Sequence, residues 1–182
     1  MFRIFFLILT FMSTQALATD WEVRTDTSKL GFVATQAGAE FEGEFKRFES
    51  LITFDPADLA QSVVKITIQI DSVDTQSADR DSNIVSSDWF DAANHPTALF
   101  ETKAISPDDK GGYIADAELT MRGVKQKVEL PFTVEIKGTE AHAKGELIVQ
   151  RTAFGIGQGQ WVETSIIGDD VRIFFDLKSE AK

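Results

Sequence analysis

The chain has 182 residues, no cysteine and a formal net charge of −11. That length makes a single domain able to bury a core without staples, and the missing thiols exclude disulfides, Cys nucleophiles and thiolate metal sites. The acidic excess, 29 Asp and Glu against 18 Lys and Arg, repels nucleic acid and anionic lipid headgroups.

The first segment reads as an export leader. Arg3 is followed by an apolar run from Ile4 to Met12 and by Ala16-Leu17-Ala18, the small-x-small site that signal peptidase accepts. The run is about half the ~20 residues a spanning helix needs. The expectation is therefore a signal peptide at residues 1–18, cleavage after Ala18, and a domain over residues 19–182 that is exported without an integral membrane segment, to a bacterial envelope or by eukaryotic secretion, which has the same physics. Fifteen Phe and three Trp stand against one Tyr. Aromatics without hydroxyls suit an apolar interior, either a core or a greasy pocket.

Beyond the leader the dominant signal is alternation, the period-2 mark of half-buried strands. Phe41, Gly43 and Phe45 hold odd parity, whereas Phe48, Ile52 and Phe54 hold even parity. One long strand therefore changes face, which predicts a β-bulge near Lys46-Arg47. Val64, Ile66, Ile68 and Ile70 alternate with polar residues, and Tyr113 to Met121 does the same. Val124 to Lys137 is the clearest strand, with Val128, Leu130, Phe132, Val134 and Ile136 on one face. Val171, Ile173, Phe175 and Leu177 make the last one. Turn residues separate these runs at Asp55-Pro56, Pro107–Gly112, Arg122-Gly123, Gly138-Thr139 and Gly168–Asp170. Only residues 77–93 break the alternation, and they predict a short helical segment lying across the sheet. Long antiparallel strands with one apolar face make an all-β barrel or sandwich.

Sites of chemistry are few. His95 and His142 lie far apart, no Gly-x-Ser-x-Gly elbow exists, and no His pair has metal-ligand spacing. Asp79-Arg80-Asp81-Ser82-Asn83 imitates a calcium loop, but Ile84 and Phe90 occupy the positions that need Gly and Glu. These groups are expected instead to cap a short helix and tie it down through ion pairs. Gly155-Ile156-Gly157-Gln158-Gly159 imitates a dinucleotide loop, but no helix follows it, so it reads as a strand bend or a close backbone approach. The apolar inventory is large and includes Phe32, Phe41, Phe45, Ile66, Ile68, Phe100, Leu119, Leu130, Phe132, Phe154, Trp161 and Ile173. A sandwich would consume these as core, whereas a barrel of about eight strands keeps room for one small ligand. Periodicity does not separate the two.

The motifs of the whole chain, in order, resemble a known family. They are Trp21-x-Val23, Ser28-x-Leu30-x-Phe32, Gly43-x-Phe45-x-x-Phe48 and Ile52-x-Phe54-Asp55-Pro56. Ser72-Val73-Asp74-Thr75, Arg80-Asp81, Asp88-Trp89-Phe90-Asp91 and Pro96-x-Ala98-x-Phe100 follow. Leu119-Thr120-x-Arg122-Gly123-Val124, Arg151-x-x-Phe154-Gly155 and Ile167-Gly168-Asp169-Asp170-Val171 end the series. The pattern is similar to that of the YceI-like, polyisoprenoid-binding, lipocalin-like proteins. It departs from the family where Asn83 replaces a frequent His, His95 an aromatic, and Ala153 an acidic residue.

The resemblance implies a lipocalin-like antiparallel barrel of about eight strands with an elongated apolar cavity. It implies a long isoprenoid ligand, a prenyl quinone or polyprenyl phosphate, and a periplasmic address; no enzymatic activity, cofactor or metal is expected from the residues themselves, whose inward strand positions are mostly apolar and which offer no ligand pair with metal spacing. The expected ligand wall is Phe32, Phe41, Phe45, Ile68, Phe90, Phe100, Leu119, Phe132, Phe154 and Trp161. Arg80, Asp81 and Arg151 are the candidates for contact with a polar head group. A membrane redox protein such as a b-type cytochrome is the protein partner that the resemblance suggests; a homodimer is a further expectation, and the sequence leaves the oligomeric state open. The alternative is a non-catalytic interaction or stress-response module with a filled core.

Overall fold

A computed structural model describes residues 19–182; the leader expected at residues 1–18 lies outside the described residues. The chain runs β1 (Thr19–Val23), β2 (Lys29–Gln36), β3 (Ala39–Phe45), β4 (Phe48–Phe54), β5 (Val63–Gln69), β6 (Val73–Asp74), α1 (Ala78–Ile84), β7 (Thr97–Pro107), β8 (Tyr113–Met121), β9 (Val124–Lys137), β10 (Glu140–Gln150) and β11 (Asp170–Ala181).

β1 and β2 are two halves of one bent strand, as are β3 and β4, because β2 pairs with β3 and β1 pairs with β4. The sheet continues antiparallel through β5, β7, β8, β9, β10 and β11. β11 then meets both halves of the first strand: Arg172 to Asp176 pair with Val33 to Lys29, and Ser179 to Ala181 pair with Val23 to Trp21. That double pairing closes an eight-stranded barrel and decides against the sandwich.

The change of face falls where the parity switch places it. Phe45 and Phe48 both look into the barrel. The strand breaks between them, and the freed backbone groups are satisfied by the turn before β6. Lys46 N–H donates to the Ser72 carbonyl at 3.0 Å, and Arg47 N–H to Ser72 Oγ at 3.0 Å. A second irregularity lies in β7, where the register shifts between Thr102 and Ala104. Inward parity there passes from Ala98, Phe100 and Thr102 to Ile105. These bends let the sheet curl round on itself.

The two ends of the barrel are built differently. At one end short turns link β4 to β5, β7 to β8 and β9 to β10. At the other lie α1 with the turns that follow it, and the long connection from β10 to β11. The helix covers only Ala78–Ile84 of the 77–93 segment. Ser77 makes no capping bond, and the expected ion pairs are replaced by hydrogen bonds: Asp81 Oδ1 accepts from Thr75 N–H at 2.9 Å and from Thr75 Oγ1 at 2.6 Å.

Candidate functional site

The barrel encloses a cavity of about 480 Å³. Small residues on several strands, Ala34 on β2, Ala98 on β7, Ala115 on β8, and Ala141 and Ala143 on β10, line it where large ones would meet at the axis. The rest of the wall is aliphatic and aromatic. Of the expected ligand wall, Phe32, Phe41, Phe45, Ile68, Phe90, Phe100, Leu119, Phe132 and Trp161 line this space. Phe154 does not. It is 2% exposed and belongs to the packed core, because the 3-10 turn Arg151–Phe154 carries the chain out of β10 before Phe154 is reached.

The turn end is sealed by aromatic packing. Phe54 meets Tyr113 edge-to-face at 5.2 Å and Phe132 at 6.1 Å, and Tyr113 stacks on Phe132 at 5.4 Å. Trp21 Nε1–H donates to the Phe54 carbonyl at 3.0 Å, which locks β1 to β4 beside this plug.

The other end is the mouth, and its polar groups gather there. Gln36, Ser77, Asp79, Arg80 and Asn83 all reach the cavity. Beneath them Phe32 contacts Phe41 at 6.1 Å and Phe45 at 5.8 Å, and Phe45 contacts Phe90 at 6.4 Å. Arg80 lies over the Phe41 ring, 4.0 Å from its centroid. Its Nε donates to Thr75 Oγ1 at 3.0 Å and its Nη1 to Gln36 Oε1 at 3.1 Å. Asp81 is not on the wall; its carboxylate is turned to Thr75, so it positions Arg80's neighbour and faces no cavity.

Arg151 has a different task from the one expected. It is 3% exposed and reaches the wall, but its protons go to backbone carbonyls. Nε donates to Gly168 at 3.0 Å, Nη1 to Ile156 at 2.9 Å, and Nη2 to Trp161 at 2.9 Å and Ile167 at 3.0 Å. Burial pulls the guanidinium below its ordinary pKa, and the Asp169 carboxylate acts in the opposite direction. One buried cation thus gathers the whole β10–β11 connection. The middle glycine of the Gly155–Gly159 run is explained by the same group. Gly157 has φ +83°, and a Cβ there would collide with Arg151 Nη1. The close backbone approach read from sequence is an approach to arginine, not to a nucleotide.

The connection is also fastened to the α1 side. Gly157 and Gln158 N–H both donate to the Asp88 carbonyl, at 2.9 and 2.7 Å. Trp89 packs on Trp161 at 5.6 Å and lies under the Arg151 guanidinium at 5.4 Å. Trp89 Nε1–H is buried and has no hydrogen-bond partner among the described residues. Sequence reasoning missed Trp89 and Gln36 as wall residues. Gln36 was available, since it continues the inward parity of Leu30, Phe32 and Ala34 to the end of β2.

Among the described residues no cluster of His, Asp and Glu could hold a metal ion, and no helix is long and apolar enough to cross a membrane. His142 sits on the outer face, bonded to Asp176 at 2.6 Å.

The model of the YceI-like domain matches residues 21–179. A UPF0312 protein of Ectopseudomonas mendocina (strain ymp) is 32% identical over 117 residues, 63% of this chain and 61% of that relative. Protein YceI of Escherichia coli O17:K52:H18 is 31% identical over 135 residues, 72% of this chain and 68% of its own length. Among solved structures, Burkholderia cenocepacia BcnA superposes with a TM-score of 0.83 at 36% identity, over 86% of this chain and 99% of that one. A polyisoprenoid binding domain from Saccharophagus degradans, implicated in plant cell wall breakdown, shares the fold at a TM-score of 0.69 and 16% identity, over 92% and 100% of the two chains. An eight-stranded ring with an apolar interior, its ordered motifs and this match along nearly the whole barrel together place the chain in the YceI-like family.

Proposed function

We propose that this protein is a periplasmic binding protein, not an enzyme, that carries an isoprenoid lipid in the barrel cavity. The observation behind this reading is the continuous, mostly apolar space of about 480 Å³ whose charged lining groups, Asp79, Arg80 and Arg151, all lie toward one end. The relative described as polyisoprenoid binding, and membership of the family, support the same ligand class. The wall offers no nucleophile–base pair, and its titratable groups are Asp79, Arg80 and Arg151. The leader at residues 1–18 supports export.

Burial supplies the affinity. An engineered cavity of about 150 Å³ accepts benzene, so this space takes roughly three times as much, about four isoprene units. Each buried CH₂ is worth about 0.8 kcal/mol before costs, and realised affinity is nearer 0.3 kcal/mol per heavy atom. Binding in the tens of micromolar or tighter then needs no hydrogen bond at all. A prenyl quinone as ligand would make a membrane redox protein, such as a b-type cytochrome, the natural partner. A module with a filled barrel is the second class of reading, and the cavity speaks against it.

The test is to purify the protein from its own cell envelope, extract it with organic solvent and analyse the extract by mass spectrometry. A prenyl lipid in stoichiometric amount is expected. An empty protein that also ignores prenyl lipids in vitro would sink the reading. Intact mass of the purified protein checks the leader, with Thr19 expected as the first residue.

A further inference from the structure

Two neighbouring segments at the mouth differ from the rest of the surface. Between Gly155 and Gly168 the only charged residue is Glu163, and between Val33 and Ala39 there is none, in a chain that is 26% charged with a net charge of −11. The fold joins these two segments. Ala37 N–H donates to the Ile166 carbonyl at 2.7 Å, and Gly168 N–H donates to the Thr35 carbonyl at 2.9 Å. Between these bonds Gln36 pairs with Ile167 in an isolated antiparallel bridge. The β2–β3 hairpin tip, exposed at Ala37, Gly38 and Ala39, and the end of the β10–β11 connection therefore form one lip of low charge.

The lip also carries bare aliphatic side chains. Val162 is 55% exposed and Ile166 is 59% exposed. Each adjoins a residue that lines the cavity, Trp161 before Val162 and Ile167 after Ile166. One stretch of backbone thus puts apolar side chains inside the barrel and their neighbours outside it. Leu51 is as exposed, at 61%, but it stands on the outer face of β4 opposite Lys65. A single aliphatic of that kind is ordinary, whereas an uncharged apolar rim on a cavity marks a contact surface.

Charge and cavity together say what covers the lip. The acidic surface elsewhere repels anionic headgroups, so the lip is the part of the mouth fitted to a neutral lipid–water interface. Trp161 at its base suits that boundary. The Glu163 carboxylate has to stay in the headgroup layer, which keeps immersion shallow and reversible. A prenyl chain released into water exposes every CH₂, whereas one released along Trp161 and Val162 into a bilayer stays against apolar surface.

We propose that this lip docks on the uncharged surface of a lipid bilayer and that the ligand crosses there between bilayer and cavity, a step that rests on the lipid-binding reading above. The chain has no cysteine, so Val162→Cys, Ile166→Cys and Leu51→Cys each take one polarity-sensitive dye. When unloaded protein meets phosphatidylcholine vesicles, emission is expected to shift to the blue at the two lip positions and to stay unchanged at Leu51→Cys. No shift at the lip, an equal shift at Leu51→Cys, or a shift that needs phosphatidylglycerol overturns the proposal and leaves the lipid reading standing. So does a lip shift on concentrating the protein without vesicles, which makes the lip an interface between copies.

Transfer of radiolabelled geranylgeraniol from loaded protein to vesicles completes the test. Its rate is expected to rise in proportion to vesicle concentration. In the double variant Val162→Asp, Ile166→Asp the rate should fall about tenfold or more, while equilibrium affinity for geranylgeraniol stays within about twofold and shows the barrel intact. A rate independent of vesicle concentration means exit through water and overturns the proposal alone, as does a double variant that transfers as fast as the parent. A parent protein that takes up no geranylgeraniol overturns the lipid reading and this proposal with it.

Discussion

The two ends of the barrel solve the same problem by opposite means. The turn end is shut by apolar contact: Phe54, Tyr113 and Phe132 fill it, and one indole bond holds the edge. The mouth is covered by irregular backbone, whose carbonyls must be paired when they are buried. Arg151 pairs four of them at once. Apolar sealing leaves nothing to adjust, whereas a cover held by directional bonds surrounds a rim where polar side chains remain to meet a ligand.

This contrast can be broken from either side. Arg151→Met should cost about 3–5 kcal/mol, because buried carbonyls lose their only cationic donor, and Arg151→Lys should not restore it. Denaturant midpoints measure the loss, and hydrogen exchange should place it first in residues 151–169. Phe54→Ala should cost a similar 3–5 kcal/mol by leaving a cavity in the plug. Its exchange protection should fall at the turn end, with the mouth and Arg80's contacts kept. Equal loosening of both ends in both variants would mean that the ends are one cooperative unit and the comparison fails.

Gly157→Ala is a subtler probe of the mouth. A φ of +83° and a clash with Arg151 should cost about 2 kcal/mol, and much less when Arg151 is already Met, a coupling that a double-mutant cycle reads directly. Ala143→Phe tests the space between the ends. The ring should occupy the cavity, lowering prenyl-lipid affinity more than tenfold while changing stability by less than about 1.5 kcal/mol. The smallest effect is that of acid. The Lys46 ammonium, hydrogen-bonded at 2.6 Å, holds the Glu44 carboxyl below its ordinary value of 4.5, and Lys103 does the same for Glu118. Groups with depressed folded pKa values stabilise above the unfolded value and lose that contribution as pH falls through the folded one. The denaturant midpoint should therefore drop on acidification below about pH 4.5, and Lys46→Gln should make the drop shallower.

Much of the fold was legible in the sequence because a strand announces its faces residue by residue. The face change at Lys46-Arg47 and the inward set of β9 follow from parity alone. The bend at Thr102–Ala104 was equally written, in the step from Phe100 to Ile105, but a single buried residue beyond it made a weak signal. Barrel and sandwich share one alternation, and only the pairing of β11 with β1 and β2 separates them. The site was half legible. Apolar wall positions follow from strand parity, but the tasks of Arg80, Asp81 and Arg151 depend on which way irregular backbone turns, and composition carries no trace of that. Phe154 was misplaced for the same reason: parity stops at the end of β10, where the chain turns aside.

The seam of the ring has a kinetic consequence. Trp21 pairs with Ala181 and Val23 with Ser179, so the closing contacts join residues almost the whole chain apart. Such contacts pay their loop-closure entropy late and slow the folding of a barrel. Until β11 arrives, the first strand has no neighbour on that side and the curved sheet stays open. A nascent chain of this design remains an unclosed ribbon for as long as its last strand is held back, which is the state a polypeptide needs if it is to be threaded through a membrane before it folds.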